Sequence, residues 1–421
     1  MKSKKISFWI EEGFALYSSE PVVKKYYNKN YIIYIYTTSN MKNLVSDYFS
    51  GLNINIIIID NLGPLYLKIV SRLFNMLFIN RKFSVMYEND LNKYYGIFYN
   101  IINKLFPFKI KNKNINNYYS SVLSFFNKFR FHGDFVIAYT FVSKAYLFAN
   151  KKTKIILIME SWDHIIKRPH LIKPDIFMTW NNDLKTDAIA HQNYKKIKYI
   201  YPSKLRYIND LSKKSNNDIF NTITNIKYRN DLLTIMNKNV ILFPVGLTSN
   251  DGYKRFLGEI KLIKSLAKMI LNTDFIIFVK PKPTGPVGDY DILLNETNII
   301  VGEYSPSANK LDMLKNEYHS YRYLLLKNST ILISLGTTFG LDAAMANIPI
   351  LHLNLEFEEF KEFAIATKNP HVVKYLSSKD YVVNYTSNDK IIFNSNLIEK
   401  CQKYSDNLRN WCLNKDQIDE V

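Results

Sequence analysis

Residues 160–164 of this 421-residue chain read Glu160-Ser161-Trp162-Asp163-His164. Two carboxylates and an imidazole within five residues are the parts of a general base and its orienting partner. Such a base removes the proton of a hydroxyl as it attacks an electrophile, and the indole between the acids is suited to keeping water out. The same residue types have a plainer use: Ser161 or Asp163 can cap a following turn, and Trp162 can be core. Glu11 and Glu12, just ahead of Gly13, form a second and less distinctive carboxylate pair.

The second half carries residues suited to holding phosphate. Three segments stand out: Gly246-Leu247-Thr248-Ser249, then Lys280-Pro281-Lys282, then Ser334-Leu335-Gly336-Thr337-Thr338 followed by Asp342. Together they offer close backbone approach, two cations and several hydroxyls, which suits a phosphate or pyrophosphate with a ribose attached. Asp342 falls about one turn into the helix after Thr338, on the side a ribose would occupy. Each segment has an ordinary alternative, since a hydroxyl-rich turn also starts helices and lysines beside proline also sit in solvated loops. His352 and His371 read as structural. No histidine pair has the spacing of a zinc helix and no Asp cluster marks a divalent ion, so neither metal nor cofactor is expected.

The elements that must position these residues follow from apolar runs and their punctuation. Strands are expected at 6–10, 31–36, 54–59, 134–139, 154–159, 175–180 and 196–201, and again at 240–243, 275–279, 298–301 and 331–333, with another opening at Pro349. Glu11-Glu12-Gly13 reads as a loop, continued by a polar turn as far as Pro21 and then a helix. Further helices are expected at 182–191, 253–271, 314–327, 339–346, 355–366 and 394–413. Alternating strands and helices indicate parallel sheets, and open parallel sheets bind ligands at the carboxyl ends of their strands, where all three segments lie. The expected division is 1–205, a polar interdomain region 206–238 with one or two helices, 239–393, and a last helix 394–421.

Composition bounds the partners. Against 37 Asp and Glu stand 56 Lys and Arg, a net charge of +19. That balance suits nucleic acid, an anionic membrane or a phosphorylated substrate. The abundance of Lys, Asn, Ile and Tyr also indicates an AT-rich coding sequence. No arginine-rich stripe, zinc spacing or RNP-like segment supports nucleic acid. The two cysteines, Cys401 and Cys412, form no metal or disulfide frame, which fits a reducing cytoplasm. Glu11 and Glu12 interrupt any signal-peptide core, and no apolar run is long enough to span a bilayer. Residues 65–82 and 98–131 are aromatic with interleaved lysines. They read either as helices resting on an anionic membrane surface or as core helices whose lysines reach outward. A cytoplasmic protein, peripheral on the inner face of the membrane, is the expectation.

The run SWDH, followed by PDIFMTWNNDLKTDAIAHQ at 174–192, resembles the bacterial surface-carbohydrate glycosyltransferases of the GT-B type, which build capsule, lipopolysaccharide and similar polymers. In that family S-W-D-N precedes a P-D-x-x-x-x-W-N strand and a helix ending near a His. The stretch around SLGTTFGLDAAMANIPI is similar to the family's S-x-S-T-x-x-x-E-A-A-x-x-x-x-P-V signature, VKPKP to its K-P-H-P strand end, and GFALYSSEPVV to its first loop. The resemblance covers most of the chain in pieces. SWDH with PDIFMTWN is the most specific part, whereas the second-half signature is shared with polyol-phosphate transferases. Three positions depart from the pattern: Asp342 stands for Glu, Lys282 for His and His164 for Asn. Lysine can neutralise phosphate but cannot serve as a neutral acid near pH 7 unless its pKa falls far.

The resemblance implies an α/β, GT-B fold: two Rossmann-like domains facing across a cleft, with the C-terminal helix crossing back to the first. It places a nucleotide-sugar donor on the second domain, at Gly246, Thr248, Lys280, Lys282, Ser334, Gly336, Thr337, Thr338 and Asp342. It places a glycan or lipid-linked acceptor on the first, at Glu12, Gly13, Ser161, Trp162 and His164. Asp163 would be the base, with Glu160 as its partner, and no metal would be required. A CDP-polyol phosphotransferase of the teichoic-acid kind and a non-catalytic assembly subunit remain the alternatives.

Overall fold

The computed structural model describes residues 4–60, 62, 68, 129–140, 144–149, 152–162, 165, 172–251, 253–282, 285–303, 316–355, 372–377, 383–385 and 390–413. The basic stretches at 65–82 and 98–131 lie outside the described residues, apart from Lys68 and 129–131, and so do His371 and 356–366 of the expected acidic helix. The chain divides into two compact units, Met1–Lys204 with Leu413–Val421, and Leu205–Cys412.

The first unit holds a parallel sheet of β1 (Lys5–Ile10), β2 (Ile32–Thr37), β3 (Ile54–Ile58), β4 (Phe135–Tyr139), β5 (Lys154–Ile158), β6 (Ile176–Thr179) and β7 (Ile197–Tyr199), in the order β3-β2-β1-β4-β5-β6-β7. The central strands are apolar and buried at nearly every position, as strands covered on both faces must be. The expected polar turn before Pro21 is helical instead: α1 (Gly13–Asn28) starts at once after Glu12 and runs through the proline. Burial of Ala15, Leu16, Tyr17 and Val23 against the sheet offsets the hydrogen bond that Pro21 cannot make. After α2 (Lys42–Tyr48), α3 (Asn182–Gln192) is closed at both ends. Asn181 accepts from Leu184 N at 3.0 Å, and Asn193 takes the left-handed conformation.

The second unit begins with α4 (Arg206–Leu211), α5 (Asn216–Asn221) and α6 (Ile226–Ile235). Its sheet comprises β8 (Asn239–Pro244), β9 (Phe275–Lys280), β10 (Ile299–Val301), β11 (Ile331–Ser334), β12 (Ile350–Leu355) and β13 (Val383–Tyr385), ordered β10-β9-β8-β11-β12-β13 and parallel throughout. The helices are α7 (Tyr253–Met269), α8 (Asn316–Lys327), α9 (Phe339–Met345) and α10 (Ser395–Cys412). Alternate residues Ile241, Phe243, Ile277, Val279, Ile331, Ile333, Leu351 and Leu353 share one core with the apolar face of α7.

α4, α5 and α6, within the expected interdomain region 206–238, count with the second unit, which begins at Leu205, and they pack on α8. Leu413–Val421 count with the first unit, whereas α10 counts with the second. It packs on α9 and β12, stacking Tyr404 on His352, and Arg409 and Gln402 both donate to Asn347 Oδ1, at 2.7 and 3.0 Å. Its Cys401, Tyr404, Leu408 and Cys412 are buried.

Counted within its own unit, each sheet runs 3-2-1-4-5-6, the first with one strand more. The order reverses between β1 and β4 and between β8 and β11, so each unit has one topological switch point.

Candidate functional site

The loop after β8 forms one wall of the second switch point. Val245 N still bonds Lys280 O at 3.1 Å, and the next two amides turn inward. Gly246 N donates to Glu259 Oε1 at 2.9 Å and Leu247 N to Glu259 Oε2 at 3.2 Å. Tyr290 Oη lies 2.6 Å from that second oxygen and 2.9 Å from Leu247 O. Glu259 is fully buried in α7. Burial pushes its pKa up to about 7, against the opposing pull of Tyr290, the two amides and the Lys282 charge. The amides of Gly246 and Leu247 therefore serve Glu259; what Gly246 leaves at the surface is space. Ser249 is held from the other side, its N–H and hydroxyl donating to Asp289 at 2.9 and 2.8 Å. Thr248 is buried, its methyl filling the place where a Gly285 side chain would stand, 2.7 Å from that Cβ.

The loop after β11 forms the facing wall. Ser334 is buried and its Oγ accepts from Gly336 N at 3.3 Å. Gly336 has φ +85, and a Cβ there would fall 2.7 Å from Val372 Cγ1. Thr337 reaches the other loop: its methyl lies 3.4 Å from where a Gly246 Cβ would be. Thr338 stands at the start of α9 with no side-chain cap bond. Gly246, Leu247, Lys282, Gly336, Thr337 and Thr338 are all partly exposed at this edge.

Two residues expected at the donor are engaged inside the unit. Asp342 is 2% exposed and its carboxylate is engaged by the guanidinium of Arg322 from α8. That guanidinium lies 4.9 Å from the Phe339 ring centre, 5.4 Å from that of Tyr207 and 5.7 Å from that of Tyr318. The carboxylate thus ties α9 to α8 within the unit. Lys280 is likewise internal, at 4% exposed, with its ammonium 5.4 Å from the Tyr321 ring centre and 5.7 Å from that of Tyr318. Burial lowers its pKa to about 8, while nearby Asp231 pulls the other way. Asp231 accepts from Glu303 N at 2.8 Å and from the Tyr321 hydroxyl, and its own pKa is raised by burial. Lys282, two residues on from Lys280, is partly exposed at the edge of the site.

In the first unit, Glu12 and Gly13 sit where β1 gives way to α1, beside the switch point. Leu16 N bonds Glu12 O at 3.0 Å, Gly13 is buried, and the Trp9 indole N–H donates to Glu11 Oε1 at 2.5 Å. Glu160, Ser161 and Trp162 follow β5 and are all buried, and Glu160 N donates to Thr140 Oγ1 after β4 at 3.3 Å. Asp163 and His164 lie outside the described residues.

Glu259, Tyr290, Asp231 and Arg322 were not picked out from the sequence. A signal existed for Glu259: with Phe256, Ile260, Ile263 and Ala267 it falls on the core stripe of α7. A carboxylate at a core position demands donors. Among the described residues, no cluster of His, Cys, Asp or Glu could hold a metal ion, and no helix is long and apolar enough to cross a membrane.

No protein-family model matches the chain, and no curated protein sequence matches it. Similar solved structures include UDP-GlcNAc 2-epimerases from Methanocaldococcus jannaschii and from Neisseria meningitidis, the latter bound to UDP-GlcNAc. The first is 13% identical and covers 98% of this chain and 94% of its own, with a TM-score of 0.46. The second is 14% identical over 97% of each chain, also at 0.46. The calicheamicin glycosyltransferase CalG4 is 10% identical over 98% and 96%, at 0.39.

Proposed function

We propose that the protein is a glycosyltransferase of the GT-B type that moves a sugar from a nucleotide-linked donor to a hydroxyl of a growing surface polysaccharide. The observation that supports it most is the second switch point. There the loops after β8 and β11 meet at Gly246 and Thr337, with Lys282 at the neighbouring strand end. Doubly wound sheets bind nucleotides at such points.

In this reading the donor phosphates lie against Gly246, Gly336, Thr337 and Thr338. Lys282 takes up the negative charge that develops on the leaving phosphate. The acceptor lies on the first unit near Glu12 and Gly13, with the Glu160–His164 segment. Its hydroxyl oxygen forms a bond to the anomeric carbon as the bond from that carbon to the phosphate oxygen breaks. The departing electron pair stays on the phosphate, and the hydroxyl proton passes to Asp163, oriented by Glu160.

A thermal-shift screen against uridine, cytidine and guanosine nucleotides tests the donor site, since a ligand specific to the folded state raises the melting temperature. Incubation with UDP-, CMP- and CDP-linked donors and a glycan acceptor tests the chemistry. Transfer of a sugar with nucleotide release supports the reading. Transfer of a polyol phosphate from a CDP donor, alteration of the donor sugar without acceptor, or binding with no turnover would each replace it.

A further inference from the structure

We propose that Glu259 is the positioning residue of the donor-phosphate loop and that its protonation rises, drawing on solvent, when an anionic nucleotide binds there. This rests on the nucleotide site proposed above. The carboxylate lies directly under that site: Glu259 Oε1 is 3.7 Å from where a Gly246 Cβ would stand, and that same space is bounded by Thr337. All three of its described partners are donors, namely Gly246 N–H, Leu247 N–H and the Tyr290 hydroxyl. It is fully buried, so its charge has no water to fall back on.

The hydrogen bonds allow two protonation states without moving heavy atoms. As a carboxylate, Glu259 accepts from both amides and from Tyr290. As an acid, it donates from Oε2 to the Tyr290 oxygen, and Tyr290 turns its own proton to Leu247 O, already 2.9 Å away. Lys282, from the end of β9, is the charged side chain whose field favours the carboxylate form, and Asp289 meets the loop at Ser249. An anion drawn to Lys282 cancels that field and adds a like charge above Glu259. Both effects favour the acid. With a resting pKa of about 7, a further rise on binding draws a proton in at neutral pH.

The test is titration calorimetry of UDP and CDP into wild type and Glu259→Gln at pH 7, in buffers of low and high ionisation enthalpy, with affinity followed from pH 6 to 8.5. Wild type is expected to take up roughly half a proton more than the variant, and its affinity to fall up to about tenfold more as pH rises. Tyr290→Phe supplies a second variant that keeps the carboxyl group. Tyr290 stabilises the carboxylate form, so Tyr290→Phe should move the wild-type pH profile upward. Equal proton counts and parallel profiles in wild type and Glu259→Gln, or no movement with Tyr290→Phe, would overturn the inference alone. Failure of wild type to bind either nucleotide would remove the site and this inference together.

Discussion

The guanidinium of Arg322 in α8 closes on the carboxylate of Asp342 in α9, and the pair sits among Tyr207, Tyr318 and Phe339. It links two helices of the second unit. Removing one partner of a buried pair leaves an uncompensated charge. Asp342→Asn should therefore lower the unfolding free energy by about 3 kcal/mol in urea titration. Nucleotide affinity of the folded fraction should stay within about threefold, since sites that share no partner behave independently. A loss of affinity with unchanged stability would return Asp342 to the ligand.

The two lysines at the end of β9 should separate cleanly. Lys280→Met removes a buried cation that its surroundings already disfavour, the pKa being lowered to about 8, so it should not lower stability at pH 7 and should change nucleotide affinity by less than about threefold. Lys282→Met should leave stability within about 0.5 kcal/mol. It should weaken UDP or CDP binding roughly tenfold or more, the worth of a hydrogen bond to a charged group. Parallel denaturation and binding measurements on the two variants check both halves.

Gly336 combines a left-handed conformation with the close approach of Val372. Gly336→Ala should destabilise the protein by about 1–3 kcal/mol, read as a lower urea midpoint with unchanged slope. An unchanged midpoint would mean that the loop after β11 is free to re-form around a side chain.

Glu259 also gives stability a pH dependence of definite sign. Its folded pKa of about 7 lies above the ordinary 4.5, so the folded state holds the extra proton between those values. Stability should fall as pH rises from 4.5 through 7, by about 3 kcal/mol at most, and Glu259→Gln should remove that slope. Urea titrations of both proteins at intervals across that range measure the difference.

Much of this architecture could be read from residue patterns. Strands such as Lys5–Ile10 and Phe275–Lys280 announce themselves because buried parallel strands are short apolar runs that end in polar loops. Val383–Tyr385 escaped because three residues at a sheet edge carry almost no pattern. The glycine and hydroxyl loops were found because strand ends are predictable places. The fates of Asp342 and Lys280 were not, because Arg322 and Asp231 reach them from other helices, through contacts that no local spacing encodes.

The central claim is where a nucleotide sits, and hydrogen–deuterium exchange with and without saturating UDP or CDP measures it. The expected result is slowed exchange in the loops at 245–249 and 334–338 of the second unit, with the strand ends of the first unit unchanged. Slowing confined to the first unit, or no slowing by either nucleotide at concentrations that saturate binding, would contradict it.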